Sequence, residues 1–200
     1  MIKTAVKAHT WERDPDDWYV EPEWCSRRLF EVEAFPGYGA IWDPACGMGR
    51  IVAAAREAFP GRKIIGTDKI RRSNADYLSS FPIDFMTTKM HLGAHIVSNP
   101  PFGIADEFVR RALAKATDKV AMLLPVKWLS ADKRAAWLET QRPKAVYFLT
   151  PRPSMPPGTV IEAGGKPKNG KQDFCWIVWE RGWNGEPTFR HLRRDGHASV

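Results

Sequence analysis

The feature that most constrains this 200-residue chain is a rhythm that runs from residue 40 to residue 150, where short apolar runs alternate with segments of helical periodicity. "GAIWDPACG" reads as a strand and a turn. "MGRIVAAAREAF" follows as a helix with Ile51, Val52, Ala55 and Phe59 on one face, and "RKIIGTD" is a second strand. "ADYLSSF" continues as a helix, "IDFMT" as a short extended piece, and "AHIVSNPPF" as a strand that stops at two prolines. "IADEFVRRALAKAT" is a helix with Phe108, Val109, Ala112, Leu113 and Ala116 inward. "KVAMLLP" is a strand, "SADKRAAWLETQ" a helix with Ser130 as N-cap, and "KAVYFL" a further strand. Strand–helix repetition implies parallel strands joined by crossover helices, because a hairpin cannot connect parallel neighbours. The fold class expected is α/β, a doubly wound sheet. Such sheets bind ligands beyond the carboxyl ends of their strands, so the loops after Trp42, Thr67, Phe85, Ser98 and Leu124 are where a site is expected.

The length suits one domain over residues 1–200. Within it, residues 18–35 read as an N-terminal motif and helix, with Pro22 in the first turn and Cys25, Leu29 and Val32 on one face. Residues 40–150 form the α/β core. Residues 151–173 form a basic, proline- and glycine-rich loop, expected to be long and mobile, and 174–200 a last strand followed by a basic tail. The 44% apolar content supports a sizeable core, yet no run of about 18 apolar residues suggests a membrane span. The N-terminus soon turns charged and shows no apolar signal region. Three scattered cysteines argue against a disulfide framework and favour a reducing, cytoplasmic location.

A formal charge of +7 attracts polyanions. Candidate phosphate contacts are Arg152, Lys166, Lys168 and Lys171 in the loop, with Arg190, Arg193 and Arg194 in the tail. Phosphate contact makes binding strongly salt-dependent; a merely solvated surface does not. His91 and His95 are four apart, but Gly93 between them disfavours a helix and no cysteine or carboxylate joins them at ligand spacing, so no metal site is expected.

Four loops carry chemistry. In "DPACGMGR", Gly47 and Gly49 allow a sharp turn and close backbone approach, and the helix behind them offers free N–H groups. No G-K-[ST] follows and the third glycine of the dinucleotide fingerprint is missing, so neither nucleotide motif applies. Asp43, at the strand end, would face a positively charged part of a small ligand. Asp68 closes the second strand, where an acidic residue is placed to accept ribose hydroxyls. Asp84 is a candidate acceptor for the exocyclic amine of an adenine, with Phe85 packed on its ring. In the fourth loop, Asn99-Pro100-Pro101-Phe102, the prolines hold φ and bare carbonyls. The Asn99 side-chain oxygen and the Pro100 carbonyl together suit the two N–H bonds of one planar amine, with Phe102 on the ring that carries it.

In this order and at these spacings the four loops resemble class I S-adenosylmethionine-dependent methyltransferases. They are most similar to N6-adenine DNA methyltransferases that carry the cofactor motif first and N-P-P-[FY] later. "WYVEPEW", with Tyr19 and Pro22, resembles the extra N-terminal cofactor motif of those enzymes. The resemblance implies a Rossmann-like, mostly parallel seven-stranded sheet with helices on both faces. It implies S-adenosyl-L-methionine bound by Tyr19, Pro22, Asp43, Pro44, Ala45, Gly47 and Gly49, with Asp68 on ribose, Asp84 and Phe85 at the adenine, and Asn99 alongside. It also implies methyl transfer to adenine N6 in DNA, with the target base flipped into a pocket formed by Asn99 to Phe102. Two acceptors on the amine favour a more tetrahedral nitrogen and align it for direct transfer, and no strong base is needed because the nitrogen becomes more acidic as it is methylated. Two alternatives stay open. RNA-base and protein-glutamine methyltransferases also clamp planar amines with N-P-P-[FY], and a non-catalytic nucleic-acid-binding protein could keep the same fold. A second aromatic for the target base is unassigned, with Met155 and Phe174 in the neighbourhood. The resemblance leaves the oligomeric state unknown, and the chain has little room for a large target-recognition domain.

Overall fold

The computed structural model describes residues 11–72 and 81–196. The apolar runs become strands β1 (Ile41–Asp43), β2 (Ile64–Gly66), β3 (His95–Ser98), β4 (Lys119–Pro125), β5 (Ala145–Thr150), β6 (Phe174–Glu180) and β7 (Thr188–Arg193). The periodic segments become helices α1 (Glu23–Val32), α2 (Arg50–Ala58), α3 (Ala105–Lys115) and α4 (Asp132–Thr140), with a short α5 (Gly158–Glu162). One seven-stranded sheet has the order β2-β1-β3-β4-β6-β5-β7. β1 is parallel to β2 and β3, β3 to β4, and β5 to β7, while β6 runs antiparallel between β4 and β5. The chain moves outward from β1 to β2, then crosses to β3 on the other side of β1. The reversal leaves a crevice outside the carboxyl ends of β1 and β3, the usual ligand site of such sheets.

The central strands are buried along their whole length, which explains their unbroken apolar runs. On one face Leu29, Ile51, Val52 and Ala55 pack with Val97, Leu123, Tyr147 and Trp176. On the other, Phe108, Val109, Ala112 and Trp128 pack with Trp42, Ile96, Met122 and Leu124. Buried indole N–H groups are satisfied: Trp42 donates to Thr67 Oγ1, Trp176 to the Cys25 carbonyl and Trp179 to the Gln141 carbonyl, each at 2.9 Å. Away from the crevice, buried Glu33 accepts hydrogen bonds from Lys119, Lys144 and Tyr147. Burial alone would raise the Glu33 carboxyl, but these donors outweigh it and hold it below the ordinary range.

Several expectations need correction. Residues 83–87 are not extended, because Asp84 organises a turn. Its Oδ1 accepts the Met86 N–H at 2.8 Å and its carbonyl accepts those of Thr87 and Thr88. The seventh strand is supplied instead by the supposed tail, as β7 beside β5. Ser130 ends a 3₁₀ turn and Ala131 holds the N-cap position of α4, with no side-chain cap bond. Pro22 is the extended N-cap of α1 rather than part of its first turn. The 151–173 segment is not simply a mobile loop: it contains α5, buries Pro153, Pro156 and Pro157, and bonds to the N-terminal segment. The helix expected over "ADYLSSF" lies outside the described residues except for Phe81.

Candidate active site

At the carboxyl end of β1 the chain turns through residues 44–49. Gly47 (φ 49°) and Gly49 (φ 77°) occupy the left-handed region that glycine enters at little cost. Gly47 donates its N–H to Asp68 Oδ2 at 2.8 Å, which ties this turn to the end of β2. Asp43 is buried beneath it. Its Oδ1 accepts Ser98 Oγ–H at 2.7 Å and the Ala45 N–H at 3.2 Å, so the ends of β1 and β3 are bridged across the crevice. Burial pushes the Asp43 carboxyl well above its ordinary pKa, and the nearby Glu21 and Asp68 charges add to this against the Ser98 and Ala45 hydrogen bonds. Burial also raises Glu21 and Asp68, opposed by their own hydrogen bonds. Three carboxylates thus face one cleft without enough compensation, an arrangement that a cationic ligand relieves.

Asn99 begins the loop after β3. Its Nδ2 donates to the Tyr19 carbonyl and to Glu21 Oε2, both at 2.9 Å. Two acceptors around one end of the carboxamide decide which end is nitrogen. The other end, Oδ1, is buried and has no hydrogen-bond partner among the described residues. Buried acceptors are rarely left unpaired, and an exception at a cleft invites a ligand donor. Beyond Asn99, the Pro101 carbonyl accepts the Ile104 N–H and the chain enters a 3₁₀ turn over Phe102–Ile104.

The N-terminal segment lies across both loops as a strap. The Trp18 indole packs so closely on Gly47 and Gly158 that a Cβ at either would fall 2.8 Å or 2.1 Å from it. The Arg72 guanidinium sits 4.0 Å from the Trp18 ring centroid. Asp17 accepts the Gly103 N–H. Tyr19 stacks on Phe102 at 5.7 Å between centroids and 13° between planes, and Phe174 contacts the Phe102 ring at 5.6 Å. The strap is held in turn by 156–158, since Val20 N–H bonds to the Pro156 carbonyl and Gly158 N–H to the Trp18 carbonyl. Past Tyr19 and Phe102 opens a second chamber of about 720 Å³, with Trp128, Phe174, Met155 and Lys127 in its walls. Asp17 and Tyr19 line both chambers.

The structure therefore gathers Tyr19, Asp43, Pro44, Ala45, Gly47, Asp68, Asp84, Phe85 and Asn99 around one cleft. Pro22 and Gly49 are not among its lining residues; they start α1 and α2. Phe85 is only 2% exposed and its ring is engaged by Trp42 and Phe108, so little of it remains for a ligand ring. Asp68 already accepts backbone N–H groups, from Gly47 on Oδ2, from Ile70 on Oδ1 and from Lys69, so only part of its acceptor capacity is left for a ligand hydroxyl. Pro101 lines the cleft while Phe102 lines the second chamber. Of the basic residues, Arg152 is paired with Asp173, Lys168 sits over Trp11, Lys171 lines the second chamber and Lys166 is exposed. His91 and His95 contact different carbonyls, of Lys115 and Pro36. Sequence reasoning missed Trp18 and Glu21. Both stood inside the "WYVEPEW" stretch, but their partners are remote in the chain.

No protein-family model and no curated protein sequence matches the chain. Solved structures do. The type I restriction enzyme EcoKI M protein aligns with a TM-score of 0.59 at 13% identity, over 90% of this chain and 49% of that one. A type I restriction-modification methyltransferase subunit from Streptococcus thermophilus aligns at 0.57 and 13%, over 84% and 45%. A putative RNA methyltransferase from Pyrococcus horikoshii aligns at 0.52 and 13%, over 79% and 80%. The chain spans about half the length of the two restriction-modification subunits and most of the third protein. The likeness establishes the Rossmann-like α/β fold that these methyltransferases share.

Proposed function

We propose that this chain transfers a methyl group from S-adenosylmethionine to the N6 amine of adenine in DNA, with the target base flipped out of the stack. The observation that carries the reading is the Asn99 carboxamide, whose nitrogen is held by Tyr19 and Glu21 and whose buried oxygen has no partner among the described residues. A fixed acceptor in the wall of the cleft, with no partner among the described residues, suits one N–H of a planar amine.

The cleft fits the cofactor by its chemistry. Three desolvated carboxylates, Glu21, Asp43 and Asp68, suit a ligand that carries sulfonium and ammonium charges. Asp43 and residues 44–47 would hold its methionine part, Asp68 its ribose and Asp84 its adenine. Bound there, the cofactor supplies an electrophilic methyl group. Asn99 Oδ1 would bind one amine hydrogen more strongly as the nitrogen becomes tetrahedral, which lowers the barrier. The Pro100 carbonyl is the second acceptor that the resemblance implies, although Pro100 is buried and lines neither chamber. Tyr19, Phe102 and Phe174 give the second chamber an aromatic wall, and stacking there returns about 1–3 kcal/mol of the unstacking cost. The +7 charge and the DNA-modification context of two structural neighbours support DNA as the carrier of the base.

The test is expression in a host lacking adenine methylation, with DNA sequenced for N6-methyladenine and methyl label followed in RNA and protein. Label in DNA adenine is expected. Label confined to RNA or to protein glutamine overturns the substrate. In parallel, Asn99→Ala is expected to keep cofactor binding and lose transfer by about 10²–10³-fold, the effect of removing one preorganised partner of a developing charge. Full transfer by that variant overturns the clamp.

A further inference from the structure

A carboxylate stands behind the vacant acceptor. Glu21 is 6% exposed, and its Oε2 accepts the Asn99 Nδ2–H at 2.9 Å. Its backbone is anchored independently, since the Glu21 carbonyl accepts Arg50 Nη1 at 3.0 Å and Pro22 opens α1 directly after it. The Tyr19 carbonyl already satisfies the other N–H of the same amide. A second neutral acceptor would therefore have sufficed to orient Asn99. Instead a desolvated carboxylate is present, although burial raises its pKa. A buried carboxylate is costly unless it is fully bonded, so its retention here calls for a specific return.

The carboxamide is conjugated. A negative charge that accepts from its nitrogen draws electron density toward its oxygen and strengthens the bond that oxygen can accept, because hydrogen bonds in a chain polarise one another in a low-dielectric site. We propose that Glu21 is a positioning residue for methyl transfer, holding the Asn99 carboxamide in register and enhancing the acceptor strength of its Oδ1 as charge develops on the target amine. The inference rests on the reading of Asn99 as the amine clamp. Glu21 acts through Asn99 and touches no reacting atom. Burial raises its pKa, opposed by its backbone hydrogen bond, by the Asn99 amide and by Arg50 from α2; Asp43 from β1 is coupled to it through like charge, and Glu21 in turn raises the Cys25 thiol of α1.

A purely structural role and a polarising role separate at Glu21→Gln. Gln can still accept from Asn99 but carries no charge. With the full chain, kcat, KM and cofactor Kd are measured for wild type, Glu21→Gln, Asn99→Ala and the double variant. The expected result is a loss of about tenfold in kcat for Glu21→Gln, the difference between a charged and a neutral hydrogen bond. The kcat is read at saturating cofactor, so that a weaker cofactor Kd from the loss of one cleft carboxylate does not enter it, and KM for the DNA should stay within about threefold. In the Asn99→Ala background the same change is expected to have no further effect, because the carbonyl it acts on is gone. Wild-type kcat in Glu21→Gln, or losses that multiply in the double variant, overturns the proposal.

An activity-free measurement keeps the two readings apart. The Asn99 side-chain NH₂ resonances, assigned by their loss in Asn99→Ala, are followed against pH by ¹H–¹⁵N NMR. They are expected to shift with ionisation of Glu21 and to lose that shift in Glu21→Gln. Resonances that ignore both pH and the substitution overturn the coupling. Absence of adenine methylation, with those resonances still following Glu21, removes the adenine assignment and upholds the coupling.

Discussion

Asn99→Asp replaces one –NH₂ by one oxygen, and the surroundings of Asn99 make that exchange severe. Both groups now facing Nδ2, the Tyr19 carbonyl and Glu21 Oε2, are acceptors at 2.9 Å. Two hydrogen bonds become two acceptor–acceptor contacts, one of them between carboxylates. Two full charges at 2.9 Å repel by about 6 kcal/mol at an effective dielectric of 20. The pair will avoid this by sharing a proton. Taking that proton up at pH 7, from groups that release it near pH 4 when unfolded, costs about 1.4 kcal/mol per unit, or about 4 kcal/mol before the new hydrogen bond offsets part of it. A net destabilisation of about 3 kcal/mol at pH 7 is expected. The sign follows from linkage: the folded pair holds its proton at a pKa above the unfolded value, so the variant regains stability as pH falls from 7 toward 5, by about 1.4 kcal/mol per unit. Asn99→Ala leaves Glu21 without its side-chain donor and is expected to cost about 1–3 kcal/mol with a shallower dependence on pH. Urea unfolding of wild type and both variants between pH 5 and 8 measures this. Equal stability of the two variants, with parallel pH profiles, would refute the placement of Glu21 against Asn99.

Gly158→Ala drives a methyl group to within 2.1 Å of the Trp18 indole, so overpacking of about 1–3 kcal/mol is expected, visible as a lowered thermal midpoint and as faster proteolysis of the 11–21 strap. Cofactor affinity is expected to rise with pH above the ordinary carboxylate range, because burial raises Asp43 and Glu21 and a cationic ligand requires them ionised; calorimetry in buffers of different ionisation enthalpy should show proton release on binding. Lys119→Met leaves Glu33 with Lys144 and Tyr147 but without its most buried partner, and a loss of about 3 kcal/mol is expected from equilibrium unfolding. Because the Glu33 carboxyl is held below its ordinary pKa, the stability it confers in the wild type is present above the unfolded value and is lost as pH falls through the lower folded one, which acid titration of Glu33→Gln against wild type will show.

Much of the fold was legible because the signals are local. Apolar runs at β1 to β6 and the 3.6-residue faces of α2 and α3 arise from neighbours in sequence. Where a side chain bonds its own backbone, as Asp84 does with Met86, a strand-like run becomes a turn, and the pattern of apolar residues does not reveal it. The basic tail did not read as a strand because β7 exposes five of its six residues; its pairing with β5 is a matter of backbone hydrogen bonds, which leave no mark in composition. Phe85 shows the same limit at the site: an aromatic after an acidic residue suggests a ligand ring, yet Trp42 and Phe108 claim it.

By itself, then, the sequence determined which loops gather at the crevice, because strand–helix alternation puts every parallel strand's carboxyl end on one side. It also determined that Asn99 begins a proline-stiffened turn there. Only the tertiary structure decided what Asn99 is. Its nitrogen meets Tyr19 and Glu21 because the strap returns across the sheet from some 80 residues away, and that return leaves Oδ1 buried and unmatched among the described residues. A carboxamide has four hydrogen-bonding positions, and which of them stays vacant depends on groups that chain topology brings in, not on its neighbours in sequence.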